Sequence, residues 1–250
     1  MNGVPIYREM TAGMSGGSPA ILLGEAAMPA TSTSYVHFDV CPTWLELAIR
    51  HLSDAQVAQA ARVEAWKGAD ENAKAGALQW EFEASVQAIV AAATAIDALY
   101  AAVRPQVKLP QLLVDKWLEK RTPRHIQMSE VLRRALSLRP RAASALRQNL
   151  GEISRFRILA VDPSGMTDAP ILHPELRVGV EWRFAYFRCD NARLIVKVTL
   201  RLILELLASG KPQDAEVQGY MDTLWSRVEP LQHSNAFGPK ARREQRLSVL

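Results

Sequence analysis

Arg157 and Asp162 stand five positions apart in the segment ISRFRILAVDPSG, a spacing that could bring a guanidinium and a carboxylate together. A guanidinium stabilises negative charge on a phosphate, and a group that titrates near pH 7 can transfer a proton. Apolar residues recur at helical spacing up to Ala160, and Pro163 disfavours helix at the residue before it. The pair therefore lies at a predicted helix end, as either a small reactive site or a structural ion pair.

His173 could supply the proton-transfer group that an aspartate lacks. It lies in the segment 162–182, which carries several prolines and glycines and is long for a connection inside a compact domain. We therefore predict a loop there, and this loop could bring His173 toward Arg157. The simpler interpretation is that His173 anchors the loop.

His125 is a second candidate, because it follows Lys120, Arg121 and Arg124 at a predicted helix start. Neighbouring positive charges favour the neutral imidazole, and a phosphate contact is conceivable at such a position. The simpler interpretation is a solvated helix end.

The remaining histidines, His37, His51 and His233, have no spacing that would hold a metal ion. The absence of a Gly-rich phosphate loop and of a GxSxG elbow argues against a Walker-type NTPase and an ordinary α/β-hydrolase. Cys41 and Cys189 stand far apart without CxxC spacing, which fits a reducing cytoplasm better than a disulfide framework or a zinc site. We expect no metal and no cofactor.

Positive charge is concentrated in the middle of the chain. Residues 104–157 contain 13 Lys and Arg against 4 Asp and Glu, a net charge of +9, whereas residues 1–103 contain 5 against 11, a net charge of −6. A basic segment of this density is typical of a nucleic-acid footprint. The simpler interpretation is that the charges lie on solvated helix faces and pair with the acidic N-terminal half. The candidate RNA-binding residues are Arg121, Arg124, Arg133, Arg134 and Arg155.

The composition predicts one all-α domain, residues 34–232, because Ala and straight-chain residues lose little freedom in a helix. Residues 1–33 are small and polar and are expected to form a flexible arm. Residues 233–250 are expected to form a basic flexible tail. No signal peptide is predicted at the N-terminus.

Particular helices can be predicted from caps and breaks. Thr43 and Glu46 have the spacing of a capping box, so the first helix should start at Thr43. A long Ala-rich helix should end at Arg104-Pro105. A central helix is expected from about Phe184 to Leu207, and its charged residues are too frequent for a membrane span. We expect a soluble cytoplasmic protein without membrane contact.

Four segments between residues 78 and 208 carry a family resemblance. They are the Ala-rich helix, WLEKRTPRHIQMSEVLRRAL, LRQNLGEISRFRILAVDPSG and LHPELRVGVEWRFAYFRCDNARLIVKV. Together they resemble a group of bacterial helical proteins that is similar to the HEPN superfamily. HEPN domains are helical bundles, often dimeric, and their ribonuclease members carry an arginine, a polar residue, a short spacer and a histidine. The resemblance implies an HEPN-like bundle, a homodimer, and a toxin–antitoxin or phage-defence setting.

This chain departs from the HEPN ribonuclease motif at two positions. Arg157 is kept, but Ile158 replaces the polar residue and Asp162 replaces the histidine. An ionised carboxylate is a weak base, cannot readily donate a proton and repels phosphate. We therefore expect a non-catalytic HEPN-like module that dimerises and binds RNA or a protein partner. The alternative is a metal-independent ribonuclease in which Arg157 steadies the phosphate and His173 or Asp162 transfers the proton.

Overall fold

Eight α-helices account for most of residues 39–162 and 169–237, the part of the chain that the computed structural model describes. The only strands in this part form a short antiparallel hairpin that pairs Ile171 with Val180 and Leu172 with Gly179. The prediction of an all-α helical bundle is confirmed, and the HEPN-like subclass stays a prediction. The elements are α1 (Val40–Ala65), α2 (Glu71–Val103), α3 (Gln111–Glu119), α4 (Arg124–Ala135), α5 (Pro140–Val161), β1 (Ile171–Leu172), β2 (Gly179–Val180), α6 (Trp182–Tyr186), α7 (Cys189–Ser209) and α8 (Ala215–Val228).

The core lies between α1, α2 and α7, and small side chains bring α1 and α2 close together. Both helices bury alanines along their facing sides, and α7 adds branched aliphatic residues. Because an alanine projects little from the backbone, its burial allows close helix packing. The α4–α5 pair packs on α2 from another side. The buried alanines of the two facing helices are Ala48, Ala55, Ala58, Ala84, Ala88, Ala91, Ala92, Ala93 and Ala95.

Helix α2 begins and ends where local chemistry requires. The side chain of Asp70 accepts hydrogen bonds from the backbone N–H groups of Asn72 (2.9 Å) and Ala73 (3.2 Å), which is an N-cap. The helix ends at Val103, next to Arg104-Pro105, as predicted. Asp70 and Pro105 thus fix the two ends of the central helix.

Three predicted boundaries were wrong. Helix α1 starts at Val40, so Thr43 is not its N-cap. The helix expected from about Phe184 is broken at Phe187 into α6 and α7. The segment 162–182, predicted as a loop, contains the β1–β2 hairpin, and α6 begins at its last residue. These differences arise from tertiary contacts that local patterns do not show.

The predicted flexible arm, residues 1–33, and residues 238–250 of the predicted tail lie outside the described residues. The start of that tail is folded, because His233 and Asn235–Phe237 belong to short 3-10 turns. The Nε2 group of Gln56 donates to the Ala236 carbonyl at 2.5 Å, and Ala236 is buried. The helical unit therefore extends beyond residue 232.

One stretch of the described chain, Glu71–Gln106, is long and apolar enough to cross a membrane by length and composition. Of its most apolar window, 56% is buried inside the bundle, where α2 packs against α1, α5 and α7. The packing of a central bundle helix accounts for this apolar character.

Candidate nucleic-acid interface

A four-residue turn joins α3 to α4 and presents two exposed cations. Lys120 is the C-cap of α3, and Arg121 has a φ of 46°, in the left-handed region that glycine usually occupies. The N–H of Thr122 donates to the Trp117 carbonyl at 2.9 Å, and Pro123 then precedes α4. These bonds form a Schellman-type helix end, which leaves the Arg121 side chain exposed at the start of α4.

Asp97 on α2 connects this turn to α5. Its Oδ1 accepts a hydrogen bond from Nε of Arg124 at 3.3 Å, and its Oδ2 accepts one from the Arg157 guanidinium. The Arg124 guanidinium also lies over the Tyr100 ring, 4.7 Å from its centroid, at cation–π distance. One carboxylate therefore pairs with two arginines and joins α2, α4 and α5.

The interpretation of Arg157 and Asp162 as an ion pair was wrong. Arg157 pairs with Asp97 instead. Asp162 is the exposed C-cap of α5, and its N–H donates to the Ile158 carbonyl at 2.7 Å. Arg157 and Asp162 lie at different positions along the axis of α5, whereas Asp97 of α2 lies beside the Arg157 side chain.

A cavity of about 230 Å³ lies beside the Asp97 ion pairs and brings His125 and Arg157 together. His125 packs against Gly151 of α5, where a Cβ atom would lie 3.7 Å from the His125 Nε2. The cavity thus unites an arginine and a histidine from two helices. Its lining residues are Ala93, Ile96, Asp97, Pro123, Arg124, His125, Met128, Leu150, Ile153, Ser154, Arg157 and Ile158.

His173 lies in a different environment, in the turn of the β1–β2 hairpin, with none of its surface exposed. Its Nδ1 accepts hydrogen bonds from the backbone N–H groups of Glu175 and Leu176, each at 3.2 Å. Burial lowers the pKa of His173, and the nearby positive charge of Arg62 adds to this effect. The imidazole is therefore neutral near pH 7, carries its proton on Nε2 and anchors the loop. Because the side chain of His173 is fully buried, it cannot contact RNA at the protein surface.

A buried charged cluster surrounds the hairpin turn, and the sequence analysis missed it. Arg62 and Glu81 are 1% and 2% exposed and form an ion pair between α1 and α2. Nη2 of Arg62 also donates to Oε2 of Glu175 at 2.5 Å, and Oε1 of Glu81 accepts from the N–H of Cys189 at 3.0 Å. Burial opposes the charge of Arg62, but the hydrogen bonds to the two glutamates outweigh it and raise the pKa of Arg62. The cluster ties α1, α2, α7 and the hairpin together.

A sequence signal for this cluster did exist. Arg62 stands four and seven positions after Ala58 and Ala55, which are buried in the core on α1, and Glu81 stands on the corresponding stripe of α2. A charged residue on an apolar stripe requires a buried partner of opposite charge. Arg62 and Glu81 stand on successive helices, so their ion pair could have been predicted from the sequence.

Most of the arginines predicted to bind RNA are held in local ion pairs. Arg133 and Arg134 both pair with Glu130 on α4, at 2.7 and 2.6 Å. Arg155 pairs with Glu152 on α5 at 3.0 Å. The hydrogen bond from Arg133 lowers the pKa of Glu130, despite partial burial of this carboxyl. These three arginines are partly neutralised within their own helices.

A different set of cations remains without ion pairs. Of the 13 cationic residues between 104 and 157, five form ion pairs and the half-buried Arg104 donates to the Val107 carbonyl. The other seven are exposed and have no ion-pair partner within residues 39–162 and 169–237. Among the described residues, only Arg124 and Arg157 of this set pair with an acid of the N-terminal half. The seven are Lys108, Lys116, Lys120, Arg121, Arg139, Arg141 and Arg147.

The fold and the site together define an all-α helical bundle with an exposed basic surface. Comparison with known proteins found no matching family model, no similar curated protein and no similar solved structure.

Proposed function

We propose that this protein is a non-catalytic RNA-binding helical module, of the HEPN-like kind that its sequence resembles. The phosphate contacts are made by the α3–α4 basic surface, which comprises Lys120, Arg121, Arg124 and Arg157. The observation that carries the proposal is that Lys120 and Arg121 of this surface are exposed and have no ion-pair partner among the described residues, like five further cations of residues 104–157. Exposed cations without partners can neutralise phosphates without first breaking an ion pair.

The electrostatics of the α3–α4 basic surface support a polyanionic ligand. Arg124 and Arg157 share the single carboxylate of Asp97, so this group of three keeps one net positive charge. Lys120 and Arg121 add two further charges at the start of α4. The free backbone N–H groups of a helix N-terminus also favour an anion there.

The environments of His173 and Asp162 support binding without cleavage. His173 is fully buried and its Nδ1 is occupied by two backbone N–H groups. Asp162 is the exposed C-cap of α5, and Arg157 pairs with Asp97 instead. Neither residue is therefore suited to transfer a proton beside Arg157.

A binding titration tests the proposal. The Lys120→Gln/Arg121→Gln double variant and an Arg50→Gln control are titrated against fluorescein-labelled single-stranded RNA in EDTA at several salt concentrations. Arg50 is an exposed cation on α1 without an ion pair among the described residues, so it controls for the loss of charge. We expect weaker binding of the double variant and a loss of about 0.7 from the salt slope for each lost phosphate contact. Unchanged binding of the double variant, or no RNA binding at low salt, would contradict the proposal.

A second candidate function is a metal-independent ribonuclease that uses Arg157 with His125. The observation that favours it is the shared cavity, because an imidazole beside a guanidinium can transfer a proton while the cation stabilises the phosphorane. Labelled RNA incubated in EDTA with the wild type, Arg157→Ala and His125→Asn tests this function. Cleavage that is lost in both variants would establish the ribonuclease and refute the non-catalytic proposal.

We also propose a homodimer, which the family resemblance implies. Support comes from α3, which buries none of its residues and exposes Leu112 by 84% and Leu118 by 73%. A light-scattering mass of one chain, 27.7 kDa, would contradict the dimer. If RNA is neither cut nor retained at low salt, a protein partner for this surface becomes the remaining proposal.

A further inference from the structure

A second, larger cavity of about 560 Å³ lies between α5, α7 and the β1–β2 hairpin. Its volume is in the range of small-molecule binding sites. Its walls are mostly apolar, and its polar groups come from α5 and from the junction of α6 and α7. They include Arg155, Arg188 and Asn191, with Phe156, Ile195 and Val198 among the apolar residues.

Arg188 is the polar group of this cavity that lacks a full set of partners. It is the N-cap residue of α7, and its side chain is 20% exposed. Its Nη1 lies 3.5 Å from Oε1 of Glu175, whereas its Nε is buried without a hydrogen-bond partner in the described part of the chain. A buried donor without an acceptor is costly, because it loses its hydration and gains nothing in return. Because Arg188 lines the cavity, a turn of its side chain would present the Nε–Nη2 edge to an acceptor there.

The other polar groups of the cavity are already engaged. Arg155 pairs with Glu152 at 3.0 Å, so this pair contributes little net charge. Nδ2 of Asn191 donates to the Tyr186 carbonyl at 2.8 Å. The cavity therefore combines one unpaired guanidinium edge with an apolar interior.

We infer that this cavity binds a small organic monocarboxylate with an apolar body, and that Arg188 binds the carboxylate. The Nε–Nη2 edge of an arginine presents two parallel donors that match the two oxygens of a carboxylate. The apolar body packs against Phe156, Ile195 and Val198. A doubly charged phosphate monoester suits the cavity less well, because only one guanidinium edge of the cavity is without partners.

Calorimetric titration of the full chain with octanoate tests this inference, with 1-octanol as a neutral probe of the same length. Arg188→Met removes the guanidinium and keeps the apolar stem. Arg193→Met is the matched control, because Arg193 is five residues further along the chain on α7, is paired with Asp190 and does not line the cavity. We expect saturable binding of octanoate, weaker binding of octanol, and a loss of affinity of about tenfold or more in Arg188→Met alone.

Leu194→Glu provides a second variant, in case the loss of Arg188 from the Glu175 contact unfolds the protein. Leu194 lines the cavity and is exposed, so the fold should tolerate the change while the new charge repels a carboxylate. We expect octanoate binding to be lost with an unchanged melting temperature. The inference is overturned by unaltered octanoate binding in a folded Arg188→Met or in Leu194→Glu, by equal binding of octanol, or by the absence of saturable binding.

Discussion

Arg121 occupies a backbone conformation that an arginine adopts only at an energetic cost. Its φ of 46° places the Cβ atom close to the following carbonyl oxygen, which costs an L-residue roughly 1–2 kcal/mol. Residues in such conformations persist where the surrounding structure holds them, and they often have a functional role. Here the Schellman-type end of α3 imposes the conformation, and the side chain adds a cation to the α3–α4 basic surface.

Arg121→Gly should separate stability from RNA binding. Glycine removes the steric cost, so we expect the free energy of unfolding in urea to rise by up to about 1 kcal/mol, while RNA affinity falls. Ser137→Gly is the control, because Ser137 has a φ of 49° at the corresponding position after α4. It should stabilise the fold to a similar extent and leave RNA binding unchanged. Unchanged affinity of Arg121→Gly would exclude a phosphate contact by this residue.

His173 should make the stability of the protein dependent on pH. Burial lowers the pKa of His173 below the ordinary histidine value of 6.5, so the unfolded chain binds a proton that the folded protein does not. The free energy of unfolding is therefore expected to fall as the pH decreases from about 6.5 toward the lower pKa of the folded state. Urea unfolding at a series of pH values measures this dependence.

The variant His173→Asn tests the assignment, because an asparagine oxygen can accept hydrogen bonds from the N–H groups of Glu175 and Leu176 without titrating. Its stability should vary less with pH over this window. His233→Asn, at an exposed histidine, should behave like the wild type. An equally steep pH dependence in His173→Asn would assign the effect to another group.

At the level of elements, the Arg62–Glu81 pair holds α1 to α2 and positions the start of α7. Arg62→Met leaves a buried carboxylate without its partner, and we expect a loss of about 3–5 kcal/mol in the free energy of unfolding. Arg62→Met/Glu81→Gln should recover part of this loss, because glutamine stays neutral and can still accept from the Cys189 N–H. Denaturant unfolding of these two variants and of Glu81→Gln alone gives the coupling.

The control for this pair is Arg201→Met, which breaks an exposed ion pair with Glu205 on α7. A change within about 0.5 kcal/mol is expected there. If Arg62→Met changed the free energy of unfolding as little, the buried pair would not contribute much to holding α1 against α2.

The helix boundaries show which features of an element a sequence pattern can predict. The end of α2 follows from Pro105 alone, so it was predictable. The break between α6 and α7 was not, because the apolar periodicity continues through it. Phe187 is buried there in edge-on contact with Phe82 and Phe156, and Cys189 donates to Glu81. These partners lie far away in the chain, so no local pattern could indicate them.

The candidate site also has features that the sequence could predict and features that it could not. The sequence indicated the basic segment and Arg157, and it also assigned RNA contacts to Arg133, Arg134 and Arg155, which stay predictions. Each of these has an acid three or four positions earlier, which is the spacing of a helical ion pair, so their neutralisation could have been predicted. The pairing of Arg157 with Asp97 joins residues 60 positions apart and required the fold.

For the whole molecule, the exposed leucines of α3 give the sharpest test of assembly. Leu112→Glu/Leu118→Glu replaces its two most exposed leucines and should shift a dimer toward the monomer in light scattering, without loss of helicity. Val57→Glu, at an exposed position of α1, is the control and should keep the wild-type mass. A dimer that withstands the double change would place the interface on another surface.

Asp97 has a further consequence for a polyanion that approaches the α3–α4 basic surface. Its carboxylate already occupies the sites on Arg124 and Arg157 that a phosphate would use. The aspartate thus acts as a tethered competitor, and an incoming phosphate must displace it from at least one arginine. Because the same carboxylate joins three helices, such an exchange would also loosen the attachment of the α4–α5 pair to α2.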